Sequence, residues 1–192
     1  MRILLSVLIL IFSFQSWAKA DDIRDFEIEG MSVGDSLLDY MTIDEIKQNT
    51  IKYWTDKRKY YVVAKFDNLK LFEQVELYIK TNDKNYEIKT ILAGFFIDNL
   101  NTCFKKKKKI EEDIGSLFSG LKKLVDTKSN EADTTGNSKQ YITQYNFDSK
   151  NHIRIECVKW SNQMKQDVNY NDSLNLVAMI DEIVDWIGSG YQ

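Results

Sequence analysis

One histidine and two cysteines leave few places for nucleophilic or metal chemistry in this chain. A Ser–His–Asp or Cys–His constellation would have to use His152 as its base. His152 follows the polar run 148–151, and no G-x-S-x-G elbow occurs in the chain. It reads as an exposed turn histidine. Zinc needs three or four Cys, His or carboxylate ligands at short spacing, and neither C-x-x-C nor H-E-x-x-H is present. No P-loop and no G-x-G-x-x-G occurs either. Residues 167–172, Asp-Val-Asn-Tyr-Asn-Asp, copy the first three ligand positions of a Ca²⁺ loop. That loop then demands Gly where Asp172 stands and Glu where Ala178 stands, so a polar turn is the better reading. Carboxylate pairs recur at Asp21/Asp22, Asp44/Glu45, Glu111/Glu112 and Asp181/Glu182. None has the apolar surroundings that raise a carboxyl pKa for acid catalysis. The sequence therefore predicts no catalytic residue, no metal site, no cofactor and no enzyme.

Two stretches could bind rather than react. Residues 105–109 are five consecutive lysines. On a helix they splay over every side, and Glu111, Glu112 and Asp113 follow four residues after Lys107, Lys108 and Lys109, partly neutralising them. A solvated helix face is expected, with Lys107 nearest the apolar stripe and obliged to snorkel. Tyr53, Trp54, Tyr60 and Tyr61 interleave with Lys57, Arg58 and Lys59. Such residues serve interface hot spots, but they also fill sheets, and the second use is expected.

Address and redox state come from the ends and the cysteines. Met1-Arg2, an apolar run over 3–14 and Ala18-Lys19-Ala20 form the three parts of a secretory signal peptide. Cleavage after Ala20 would leave 24 basic against 29 acidic residues, a net charge of −5. This mild acidity argues against a nucleic-acid binder. In an oxidising compartment Cys103 and Cys157 are expected to form a disulfide. No later segment is apolar enough to span a bilayer, so no stable membrane insertion is expected after cleavage.

The elements follow from periodicity. Ser32-x-x-Asp35 and Thr42-x-x-Glu45 have capping-box spacing and predict a bent pair of short helices. Strands are predicted over 60–66, 72–80 and 86–97, joined by the turns at Asp67-Asn68 and 82–85, as an antiparallel meander. Over 98–125 the apolar residues, Cys103, Phe104, Ile114 and Leu117 among them, recur in steps of three and four. They predict one long helix, capped by Asp98. Residues 126–139 carry no large apolar side chain and read as a mobile loop. A hairpin over 141–147 and 153–160 follows, then a strand to about Ile180 and a short helical tail.

The expected fold class is α+β: an antiparallel sheet packed against helices, stapled by Cys103–Cys157. The expected division is a signal over 1–20, a first helix-plus-meander unit over 21–97 and a second unit over 98–192. Helix–three strands, twice, resembles in element order the tandem-repeat protein inhibitors of the β-lactamase-inhibitor type. Gly30-Met31-Ser32 is similar to the start of small envelope adaptor domains. The functional expectation is a periplasmic or secreted binding module acting on another envelope or extracellular protein. A carrier of a small ligand in a helix–sheet cavity, or an enzyme with a carboxylate-based site, stands as the alternative.

Overall fold

The computed structural model describes residues 22–51, 59–65, 67–147 and 150–188. The expected signal segment and Tyr53, Trp54, Lys57 and Arg58 lie outside the described residues. The described residues form an antiparallel eight-stranded sheet with four helices and one disulfide. Helix α1 (Ile43–Asn49) precedes strands β1 (Thr50–Ile51), β2 (Tyr60–Lys65), β3 (Gln74–Lys80) and β4 (Ile88–Phe96). Helix α2 (Leu100–Leu117) leads to β5 (Lys122–Ser129), β6 (Lys139–Asn146) and β7 (His152–Lys159). Helix α3 (Asn162–Asp167), β8 (Ser173–Met179) and α4 (Asp181–Gly188) complete the described chain. The strand order is β1-β2-β3-β4-β8-β7-β6-β5.

Local chemistry accounts for most boundaries. Thr42 caps α1, and Glu45 reaches back to the Thr42 amide at 2.7 Å, the reciprocal pair its spacing predicts. Asp35 accepts from the Ser32 amide at 2.8 Å, but no helix starts there; Ser36 caps a single 3₁₀ turn, Leu37–Asp39. The α2 cap is Asn99 rather than Asp98, accepting from the Thr102 amide at 3.0 Å.

The chain leaves β4 in the middle of the sheet and re-enters at β5 on its far edge. The connection must cross a face of the sheet, and α2 does so, packed on β7 and β8. Cys103 and Cys157 are joined there, with Cα atoms 6.0 Å apart. The helix ends at Leu117, not Val125. Gly115 lowers helix propensity near its end, and Gly120, at φ +88°, turns the chain away. Residues 122–129 are a fully exposed edge strand, where the sequence predicts helix and then loop. Lys122, Lys123 and Lys128 blunt that edge against further pairing.

One face of the sheet bears the main core. Val63, Leu77, Ile79, Ile91, Ile153, Ile155 and Leu176 meet Ile23, Ile28, Val33, Leu37, Ile46 and the α2 residues Ile114 and Phe118. Phe104 and Leu117, expected in this core, are substantially exposed, because the buried stripe of α2 runs through Cys103, Lys107 and Ile114 to Phe118 and each of them stands one residue off it.

Lys107 is buried. Its ammonium donates to Glu111 at 2.9 Å and to the Thr143 hydroxyl, and Lys123 donates to the other Glu111 oxygen at 2.8 Å. Burial works to raise the Glu111 pKa, but the hydrogen bonds from Lys123 and Lys107 outweigh it and hold it at about 2. The folded value lies below the ordinary 4.5. The stabilisation is therefore complete above about pH 4.5 and is lost as pH falls towards 2. Glu111→Gln is expected to cost roughly 2 kcal/mol at pH 7, since Lys107 stays buried with one strong partner fewer. Melts at pH 7, 4 and 2.5 should show the gap between parent and variant closing with acid; a constant gap contradicts the assignment.

Candidate functional site

The opposite face of the sheet is only partly covered. Helix α4 lies across it, burying Ile183 and Trp186 against Tyr60, Val177 and Met179. Trp186 meets Tyr60 in a tilted ring contact, centroids 4.9 Å apart. Polar contacts fix the helix, among them Lys80 to Glu182 at 2.7 Å, Lys150 to Asp185 at 2.6 Å, and the Asp181 amide to Asn151 Oδ1 at 2.9 Å. The Glu182 carboxyl is held below its usual range, chiefly by the Lys80 hydrogen bond.

Beside α4 a cleft of about 580 Å³ opens onto the sheet. Strand register explains its floor. Tyr78 pairs with Thr90, Thr90 with Met179, Met179 with His152 and His152 with Asn146, one row across five strands. The next row is Leu92, Val177, Arg154 and Gln144. These nine residues line the cleft, with Val184 from α4 and Lys150 from the β6–β7 turn; Glu76, which pairs with Leu92 and continues the second row, does not. Directly paired residues of a row share a face, and the two rows share it because strand alternation has a period of two.

His152 is thus a floor residue at 6% exposure, not an exposed turn histidine. Its Nδ1 lies 3.2 Å from the Lys150 carbonyl. A carbonyl can only accept, so Nδ1 carries the proton and Nε2 offers a lone pair. Burial pushes the ring's pKa down; the Lys150 hydrogen bond opposes this and the Arg154 charge adds to it. Burial thus favours the neutral ring. Nε2 finds no hydrogen-bond partner among the described residues, nor does Thr90 Oγ1, on a residue 1% exposed. Arg154 Nε lies 3.5 Å from Glu156 Oε2, and Glu156 Oε1 accepts from Asn175 Nδ2 at 3.3 Å.

The other sequence candidates do not gather here. Asp172 is buried and accepts from the Trp160 amide and from Lys165 Nζ, both at 2.8 Å. Its oxygens tie β7 and α3 to β8, which is the polar-turn reading of 167–172. Among the described residues no group of three or more His, Cys, Asp or Glu is placed to hold a metal. Lys105, Lys106, Lys108 and Lys109 are exposed. Tyr60 is core, while Tyr61 is half-buried. Sequence reasoning missed the cleft because its lining runs from Tyr78 to Val184. Alternation of Thr90, Leu92 and Gly94 in β4 was its one local sign. Among the described residues no helix is long and apolar enough to cross a membrane. No family model, curated protein or solved structure matches this chain.

Proposed function

We propose that the protein is an exported, non-catalytic binding module that takes a small ligand in the cleft between α4 and the sheet. The observation that carries this reading is the pair of buried, unpartnered polar atoms, Thr90 Oγ1 and His152 Nε2, on the floor of that cleft. Each costs about 1–3 kcal/mol when left unsatisfied, and a bound ligand recovers that cost. The volume falls in the range of small-molecule sites, and the wall of Leu92, Val177, Met179 and Val184 supplies apolar surface. Catalysis is disfavoured by distance. Thr90 and His152 flank Met179 on either side, two strand spacings or roughly 9–10 Å apart. A nucleophile and its base need about 3 Å. Export is supported by the signal-like pattern of residues 1–20 and by the disulfide within the fold. The order α1 with β1–β4, then α2 with β5–β8, supports two helix-plus-meander units joined at β4–β8, with four strands each instead of the three read from sequence.

The test uses N-phenyl-1-naphthylamine, a neutral apolar probe that brightens on leaving water. One equivalent should bind the folded protein with micromolar affinity. Val184→Trp, which fills the cleft from α4, should weaken binding at least tenfold while melting stays within a few degrees of the parent. Absent saturable binding, or binding indifferent to Val184→Trp, refutes the reading.

A further inference from the structure

The lining of the cleft is chemically divided. Its apolar wall lies on β4, β8 and α4, while Gln144, Asn146, Lys150, His152 and Arg154 come from β6, β7 and the turn between them. Among the described residues no acidic side chain is in the lining. Lys150 is already paired with Asp185. Gln144 donates to Asn146 Oδ1 at 2.7 Å, and Asn146 donates to the Lys122 carbonyl at 3.3 Å, so these amides are largely spent on one another and on backbone. Arg154 is different. Its Nε is buried without a hydrogen-bond partner among the described residues and meets Glu156 Oε2 only as an ion pair at 3.5 Å. Glu156, buried and outside the lining, lies against Nε and leaves both Nη groups without an acceptor. A guanidinium with two free Nη groups beside an apolar wall matches a planar oxyanion attached to an apolar body.

Resting on the cleft reading, we propose that the ligand is an amphipathic anion. Its apolar body lies on Leu92, Val177, Met179 and Val184, and its carboxylate-like head takes the Nη edge of Arg154. Glu156 is a positioning residue that orients the guanidinium through Nε.

The experiment measures displacement of N-phenyl-1-naphthylamine from the mature protein by decanoate, 1-decanol and decyltrimethylammonium, which share one alkyl chain and differ in charge. Decanoate should compete at least tenfold better than decanol, and the cation should be weakest. Arg154→Gln should bring decanoate to the level of decanol and leave decanol unchanged, and Arg154→Lys should restore part of the preference. The three-ligand comparison on the parent protein decides the matter even if Arg154→Gln does not fold. Equal competition by decanoate and decanol, or no competition by decanoate while the probe still binds, overturns the anion assignment and leaves the cleft reading standing. If the probe itself does not bind, the cleft reading fails and the anion assignment falls with it.

Discussion

Ile114→Asp is expected to unfold the protein. Ile114 is 0% exposed on the inner face of α2, within the cluster that joins the helix to the sheet. The substitution removes a buried aliphatic side chain, a loss of about 2–5 kcal/mol in comparable truncations. It also puts a carboxylate into an apolar cluster, which costs several kcal/mol more or forces protonation. Domains of this size hold only about 5–15 kcal/mol of net stability. Leu117→Asp, one turn further along the same helix, is the contrasting case. Leu117 is 46% exposed, and surface changes usually stay within about 0.5 kcal/mol. Circular dichroism melts of the two variants make the comparison. A folded Ile114→Asp protein, or an equally damaged Leu117→Asp, would show that the helix faces are assigned the wrong way round.

The second large effect is expected from the disulfide. Cys103 and Cys157 are 54 residues apart in sequence. Closing a loop of that size removes roughly 4 kcal/mol of chain entropy from the unfolded state. The bridge also holds α2 where the chain begins to cross the sheet, so its loss frees the longest connection in the fold. The double variant Cys103→Ala, Cys157→Ala should melt about 10 °C lower, taking 2–4 °C per kcal/mol for a chain of this length. Reduction of the parent should produce a similar drop, whereas the double variant should not respond to reductant. An unchanged melting temperature on reduction would mean that packing alone holds α2 in place.

Both effects bear on function through the sheet. The cleft floor is the reverse side of the strands that α2 packs on, since β7 and β8 carry Ile153, Ile155 and Leu176 on one face and His152, Arg154 and Val177 on the other. A shift of β7 caused by loss of the bridge would move Arg154 and His152 with it. Probe binding should therefore weaken when the disulfide is reduced, even below the melting temperature.

What the sequence determined by itself is local. The Thr42–Glu45 capping box, the turns at Asp67-Asn68 and 82–85 and the strand over β3 follow from residues close in sequence, whereas Lys107, expected to snorkel, is buried with its ammonium on Thr143 of β6. The pairing of Cys103 with Cys157 was legible because only two cysteines follow the expected cleavage site. The strand β8 and tail helix α4 were readable from the change of period near Ile180. The end of α2 was not, since Leu117, Leu121, Leu124 and Val125 fit a helical stripe as well as they fit a turn and an alternating strand. Gly120 and the sheet edge decided between them. His152 next to a polar turn gave no sign of burial. It is buried because β8 and β6 pair on either side of β7 and α4 folds back over one end of that face. Register, which brings Tyr78, Thr90, Met179, His152 and Asn146 into one row, is set by hydrogen bonds between strands far apart in the chain. Only the tertiary structure could set Arg154 and His152, which alternate on β7, against an apolar wall from β4, β8 and α4, because the wall comes from strands and a helix that nothing local in the sequence couples to β7.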